Sequence, residues 1–209
     1  NELAYSISIN DSTTYSSTKE KNKAVNAELA EILTVLKNNG ETLNNDFKID
    51  RKKDGTYSFN VSGSSLNRFR ADVFGKSSAD DLEYDKDTGI DEANATAEQI
   101  MEYLMGKGNF GISSKYDGDL AYRIVVVRYA MLGNRFARYK EVKIATDVSD
   151  KTVAYVNEHM DTLSGISVNE DMIRKYNYSE YFSSIIGYTG PISESEYTAL
   201  HKKNEDYTQ

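Results

Sequence analysis

A run of alternating apolar residues opens the chain, Leu3, Tyr5, Ile7 and Ile9, and it constrains the fold more than any other feature. Alternation with period 2 marks a half-buried strand, and a strand is stable only where neighbours take up its backbone hydrogen bonds. From Ser17 onward the pattern turns to helix. Residues 140–146 resume the alternation around Val142 and Ile144, and a further extended segment begins with Ile166 and Val168. A strand at the start, strands near the end and a mostly helical insert between them imply two lobes. The expected fold is α+β: a base lobe from residues 1–16 and 139–209, carrying a mixed sheet built from both chain ends, and a mostly helical head lobe from residues 17–138.

Within the insert, punctuation is clear. Ser17-x-x-Glu20 is a capping box opening a helix with Val25, Leu29, Ile32 and Leu36 on one face, and Asn39-Gly40 ends it. Phe47 and Ile49, then Asp54-Gly55, then Tyr57, Phe59 and Val61 form a hairpin pattern. That turn also disposes of the basic run Arg51, Lys52, Lys53, which reads as a turn tip. A short helix with Leu66, Phe69 and Val73 stops at Gly75. Residues 77–95 are acidic and poor in apolar groups and read as a loop. Thr96-x-x-Gln99 caps a helix carrying Ile100, Tyr103 and Leu104, and Leu120, Ile124, Val127 and Met131 keep helical spacing. Beyond the second strand, Asp147 or Ser149 caps a helix with Val153, Val156 and Met160, and Ser193-x-x-Glu196 caps the last one.

Composition narrows the function. The net charge of −8, from 25 basic and 33 acidic residues, disfavours nucleic-acid binding, which needs a basic face. Without cysteine there is no disulfide, thiolate metal site or Cys nucleophile. No stretch approaches the ~20 apolar residues of a membrane span. The first residue is Asn and the last nine are polar apart from Tyr207, so both ends read as cuts within a longer chain, with any anchor outside it.

Chemistry is scarce. His159 and His201 are the only histidines, and neither has a second ligand at i+4. Asp85-Lys86-Asp87-Thr88-Gly89 resembles the start of a calcium loop, but Gly falls at the fifth position and Thr96 at the twelfth, where Gly at six and Glu at twelve are needed. Pieces of the penicilloyl-serine motifs occur as Ser16-Ser17-Thr18-Lys19, Lys151-Thr152 and Ser167-Val168-Asn169. Their order is wrong, and Val153 stands where the third motif requires Gly. No catalytic residue, cofactor or metal is assigned.

One stretch is more specific. It contains 144-IATDVS-149, 152-TVA-154, 163-LSGISV-168, Arg174-Lys175-Tyr176, and Ile185-Ile186-Gly187-Tyr188-Thr189-Gly190-Pro191. It resembles the N-terminal dimerisation, or pedestal, domain of class B penicillin-binding proteins, elongation-type peptidoglycan D,D-transpeptidases of clostridia and their relatives. Residues 1–9, 59–75 and 127–140 also resemble that family, so the likeness spans nearly the whole chain. The family has Pro and Gly where this chain has Asn177 and Ser179. The resemblance implies a non-catalytic support on the extracytoplasmic face of the bacterial cytoplasmic membrane, within a membrane-anchored parent. It would hold the transpeptidase domain of the same chain and meet a SEDS-type glycan polymerase and an MreC-type scaffold. Arg174, Tyr176, Gly187, Tyr188 and Gly190 would be its structural and interdomain residues. The family pattern also brings the chain ends together, so the strands near Ile7 and Ile144 are expected in one sheet. The rival reading is a free-standing extracellular module binding a ligand, or calcium at the Asp85 loop.

Overall fold

In the computed structural model, residues 2–134, 137 and 139–173 are described, and Leu3–Ile173 form one compact unit. The chain runs β1 (Glu2–Ile9), α1 (Thr18–Asn38), β2 (Ile49–Arg51), β3 (Tyr57–Phe59), α2 (Gly63–Phe74), β4 (Tyr84–Asp85), β5 (Ile90–Asp91), α3 (Ala97–Met105), α4 (Gly118–Leu132), β6 (Val142–Val148), α5 (Asp150–Glu158) and β7 (Ile166–Ile173). It is an α+β fold.

β1 finds its partners where the alternation placed them. It is the central strand of the order β6-β1-β7, antiparallel to β6 with Ile7 opposite Ala145 and Ile9 opposite Val142. The contacts of Asn10 with Gly165 and of Ser8 with Asn169 descend along one strand as they ascend along the other, so β7 is antiparallel as well. One face is apolar, and Ile7, Ile9 and Ile144 are essentially inaccessible. The other face is polar, yet Ser6 and Ser8 are also fully buried. Side chains of the outer strands close over them: Lys143 pairs with Asp171 at 2.7 Å, and Asn169 donates to Glu141 at 2.7 Å. Hydrophobic patterning alone shows the first face only.

α1 lays Val25, Leu29, Ile32 and Leu36 into the same core as Ile7, Ile9, Ile144 and Val148. The sequence boundary after residue 16 assigned α1 to the head; its buried face packs with the sheet. A second core gathers Phe47, Ile49, Phe69, Val73, Ile100, Met101 and Leu104, with Phe47 edge-on to Phe69 at 5.6 Å. α4 walls both, giving Ile124 and Val127 to the first core and Val125 and Val126 to the second. A four-residue apolar run on one helix therefore reaches two cores because successive residues point to different faces.

Local signals hold in detail, with informative exceptions. Thr96 and Gln99 make both bonds of the capping box, whereas Ser17 caps Glu20 N–H and the Glu20 carboxylate turns to the Ser16 hydroxyl instead. Gly75 ends α2 in the left-handed conformation, φ 70°, which costs a residue without Cβ little. Residues 77–95, expected as a loop, contain a 3-10 turn at Ala79–Asp81 and the hairpin β4–β5. These are built from side-chain caps and an aspartate turn, which leave no hydrophobic period to read.

α5 is capped from a distance. Ser149 occupies the N-cap position, but its side chain accepts no capping bond from the backbone N–H groups of the helix. Its N–H and hydroxyl both donate to Glu41, at 3.0 and 2.6 Å, as does the buried Thr152 hydroxyl at 2.7 Å. Partial burial pushes the Glu41 carboxyl up, but these bonds outweigh it and hold the group below the usual range. Its contribution is then present above the unfolded carboxylate pKa of 4.5 and lost as pH falls through the lower folded value. Glu41→Ala is expected to cost about 1–2 kcal/mol at neutral pH. Thermal unfolding at about pH 7 and about pH 3 should show the difference from wild type shrinking in acid.

Candidate functional site

The five residues singled out in the sequence, Arg174, Tyr176, Gly187, Tyr188 and Gly190, lie outside the described residues, as does the helix expected after Ser193. His201 also lies outside the described residues, and several of the other chemically suggestive groups are engaged elsewhere. Ser16 bonds Glu20, Thr152 bonds Glu41, Ser167 bonds Glu141 at 2.8 Å, and Asn169 bonds Ser8 and Glu141. They sit beside α1, on α5 and on β7, and do not converge on one site. His159 stacks on Tyr155 at 3.9 Å and its Nδ1 meets the Tyr155 carbonyl, one turn back.

The Asp85 loop is a hairpin turn. Asp85 accepts from Asp87 N–H at 2.9 Å and from the Thr88 hydroxyl at 2.8 Å, and Gly89 takes the positive φ of 70° that closes it. The Thr88 bond, followed by the Asp87 bond, draws the Asp85 carboxyl below its ordinary range. Among the described residues no group of three or more His, Asp or Glu side chains is placed to hold a metal.

The most concentrated polar arrangement was not foreseen. Arg128 lies on the α4 turn between the two cores and is 7% exposed. Its Nη1 donates to Asn26 Oδ1 at 2.8 Å and its Nη2 to Asn22 Oδ1 at 2.7 Å. The two asparagines, one turn apart on α1, donate in turn to the carbonyls of Asn109 and Phe110. The Phe110 ring lies 5.0 Å from the guanidinium carbon, within cation–π range. Burial pulls the Arg128 pKa down to about 10, against the opposing influence of Asp11 and Tyr15. The signal was in the sequence: Asn22 and Asn26 interrupt the apolar face of α1 at helical spacing, and Arg128 comes directly after Val125, Val126 and Val127.

A cavity of about 410 Å³ opens beside Arg128, lined by Thr14, Tyr15, Ser17, Thr18, Lys21 and Phe110 among others. A wider groove of about 980 Å³ runs past Phe47, Arg68, Lys76, Tyr129 and Lys143. There burial raises the Tyr129 hydroxyl to about 12, with Asp72 adding to the effect.

Residues 1–209 match a protein family described as the penicillin-binding protein dimerisation domain. Among solved structures, the chain is similar to penicillin-binding protein 2B from Streptococcus pneumoniae (strain 5204), at 18% identity and a TM-score of 0.38. That match covers 99% of this chain and 28% of the other. No curated protein matches.

Proposed function

The chain belongs to the penicillin-binding protein dimerisation domain family, and on that footing we propose that it is the pedestal of a membrane-anchored peptidoglycan D,D-transpeptidase. Such a domain does no chemistry. In this reading it stands on the extracytoplasmic face of the cytoplasmic membrane, positions the transpeptidase domain of its own chain, and contacts a SEDS-type polymerase and an MreC-type scaffold. No helix among the described residues is long and apolar enough to cross a membrane, and the proposal assigns the anchor to another part of the parent. The base, residues 1–16 and 139–209, would carry the head, residues 17–138, with α1 as the strut that packs on the sheet. The observation that carries the proposal is the family match from the first residue to the last. The dispersal of the Ser, Thr and Asn groups that imitate acylation motifs supports it.

Arg174, Tyr176, Gly187, Tyr188 and Gly190 belong to this proposal as the residues that couple the base to the transpeptidase domain. Arg174 stands among Tyr176, Tyr178 and Tyr181, where a guanidinium can stack on rings and bond carboxylates or carbonyls. Two labelling results are expected with a fluorescent penicillin. The 209-residue chain alone takes no label, and the full-length parent carrying Arg174→Ala labels like wild type while activating its polymerase partner less. Stoichiometric labelling of the fragment at Ser16 would overturn the non-catalytic reading. Unchanged partner activation would remove Arg174 from the coupling role.

A further inference from the structure

Asn39-Gly40 is the only Asn-Gly step in the chain, and its chemistry goes beyond ending α1. The backbone nitrogen of the next residue can attack an asparagine carboxamide, and glycine, with no Cβ, leaves that nitrogen the most accessible. Here both reacting groups are occupied. The Gly40 N–H donates to the Lys37 carbonyl at 3.1 Å, within a left-handed C-terminal turn in which the Glu41 N–H reaches the Leu36 carbonyl at 2.9 Å. The Asn39 side-chain amide donates to the Thr152 hydroxyl at 2.9 Å. Thr152 is fully buried on α5, and its hydroxyl donates in turn to Glu41. Asn39 is half-buried and Gly40 exposed, so water reaches the step once these bonds open.

We propose that Asn39 is a self-modification site kept unreactive by α5: opening of the α1–α5 joint releases it to deamidate, and the acidic product keeps the joint from closing as before. In the reaction the Gly40 nitrogen loses its proton to solvent and bonds to Asn39 Cγ. The Cγ–Nδ2 bond breaks, and ammonia leaves with a proton taken from water. Water then opens the five-membered imide at one of its two carbonyls, giving aspartate or isoaspartate, and no other reagent is needed. Neither product fits the joint. The Thr152 hydroxyl has one proton, already donated to Glu41. A carboxylate at position 39 forfeits the bond that Asn39 donates and stands beside Glu41 with like charge, because both side chains meet the same Thr152 oxygen. Isoaspartate lengthens the backbone between Asn39 and Gly40 and breaks the turn. Glu41 also holds Ser149 at the start of α5, so the disturbance reaches that helix. The site is independent of the pedestal reading and stands or falls without it.

The test is peptide mapping by mass spectrometry of the 209-residue chain incubated in mildly alkaline buffer, both native and unfolded in urea. Conversion at Asn39 is expected to be at least about tenfold slower in the native chain. Thr152→Val should raise the native rate about tenfold and leave the rate in urea unchanged. Where that variant does not fold, Glu41→Ala carries the same comparison, its native rate being set against its own rate in urea. Asn39→Asp makes one product directly, and it should speed amide hydrogen exchange across residues 152–156 about fivefold. Equal native and unfolded rates in the wild-type chain would overturn protection by the fold. A native rate in the folded variant that matches wild type would overturn the role of α5. Unchanged exchange in Asn39→Asp would show that the joint closes again after the reaction, against the proposal.

Discussion

Asn26→Ala is expected to lower the unfolding free energy by about 3–5 kcal/mol, a large part of a domain's total stability. Asn26 is buried and works in both directions. Its oxygen accepts from Arg128 at 2.8 Å, and its amide donates to the Phe110 carbonyl at 2.8 Å and to the Gly111 carbonyl at 3.3 Å. A hydrogen bond to a charged group contributes about 1.5–3 kcal/mol, and each buried group left without a partner costs about 1–3 more. Alanine removes both connections and leaves the guanidinium with one amide. Asn26→Asp should lose less, since it offers Arg128 a carboxylate while still forfeiting the donation to Phe110. Lys23→Ala, three residues away on the exposed face, should change stability by less than about 0.5 kcal/mol. Urea unfolding of the three variants checks the ranking, and an Asn26→Ala loss below about 1 kcal/mol would mean that the network is not stabilising.

Ile7→Ala should cost a comparable amount, about 3–5 kcal/mol, by a different route. Ile7 is inaccessible at the centre of the central strand, opposite Ala145 and within the core that α1 and α5 complete. Removing its side chain forfeits the transfer energy and leaves a cavity that a three-stranded sheet bonded on both sides cannot close. Leu3→Ala is the matched control. It lies on the same strand and in the same alternation, but is 52% exposed, so its loss should stay within about 0.5–1 kcal/mol. Equal losses at the two positions would contradict the burial pattern of β1.

These two sites mark what the sequence could and could not reveal. Ile7 was legible, because alternation needs only adjacent residues and the physics of a two-faced strand. The β2–β3 hairpin around Asp54-Gly55 and the stop at Gly75 were legible for the same reason: each is a local signal with a local cause. Glu41 as the cap of α5 was not, since helix-capping patterns assume that the cap lies next to the helix. The polar roof over Ser6 and Ser8 was not, because it joins side chains of two strands across a third. Arg128 lay between these cases. Two asparagines on an apolar helix face announce a buried polar partner, but nothing local says which cation answers them. For the functional residues the limit was different: Arg174 to Gly190 were chosen through the family resemblance, and they fall beyond the described part of the fold.

The placement of β1 between two late strands also sets an order of events. Ser8 meets Asn169 across 161 positions of chain, so the central strand is synthesised first and paired last. The α1 helix and the β2–β3 hairpin close over short loops, and the core around Phe69 draws on residues 47–126 only, so all three can form while the chain is still emerging. Throughout that interval β1 carries two unsatisfied edges. A chain stopped before residue 142 would therefore hold a formed second core and an orphan strand able to pair with a copy of itself. Arrested or truncated versions of this protein should aggregate through the strand that ends at Ile9, and the finished one should not.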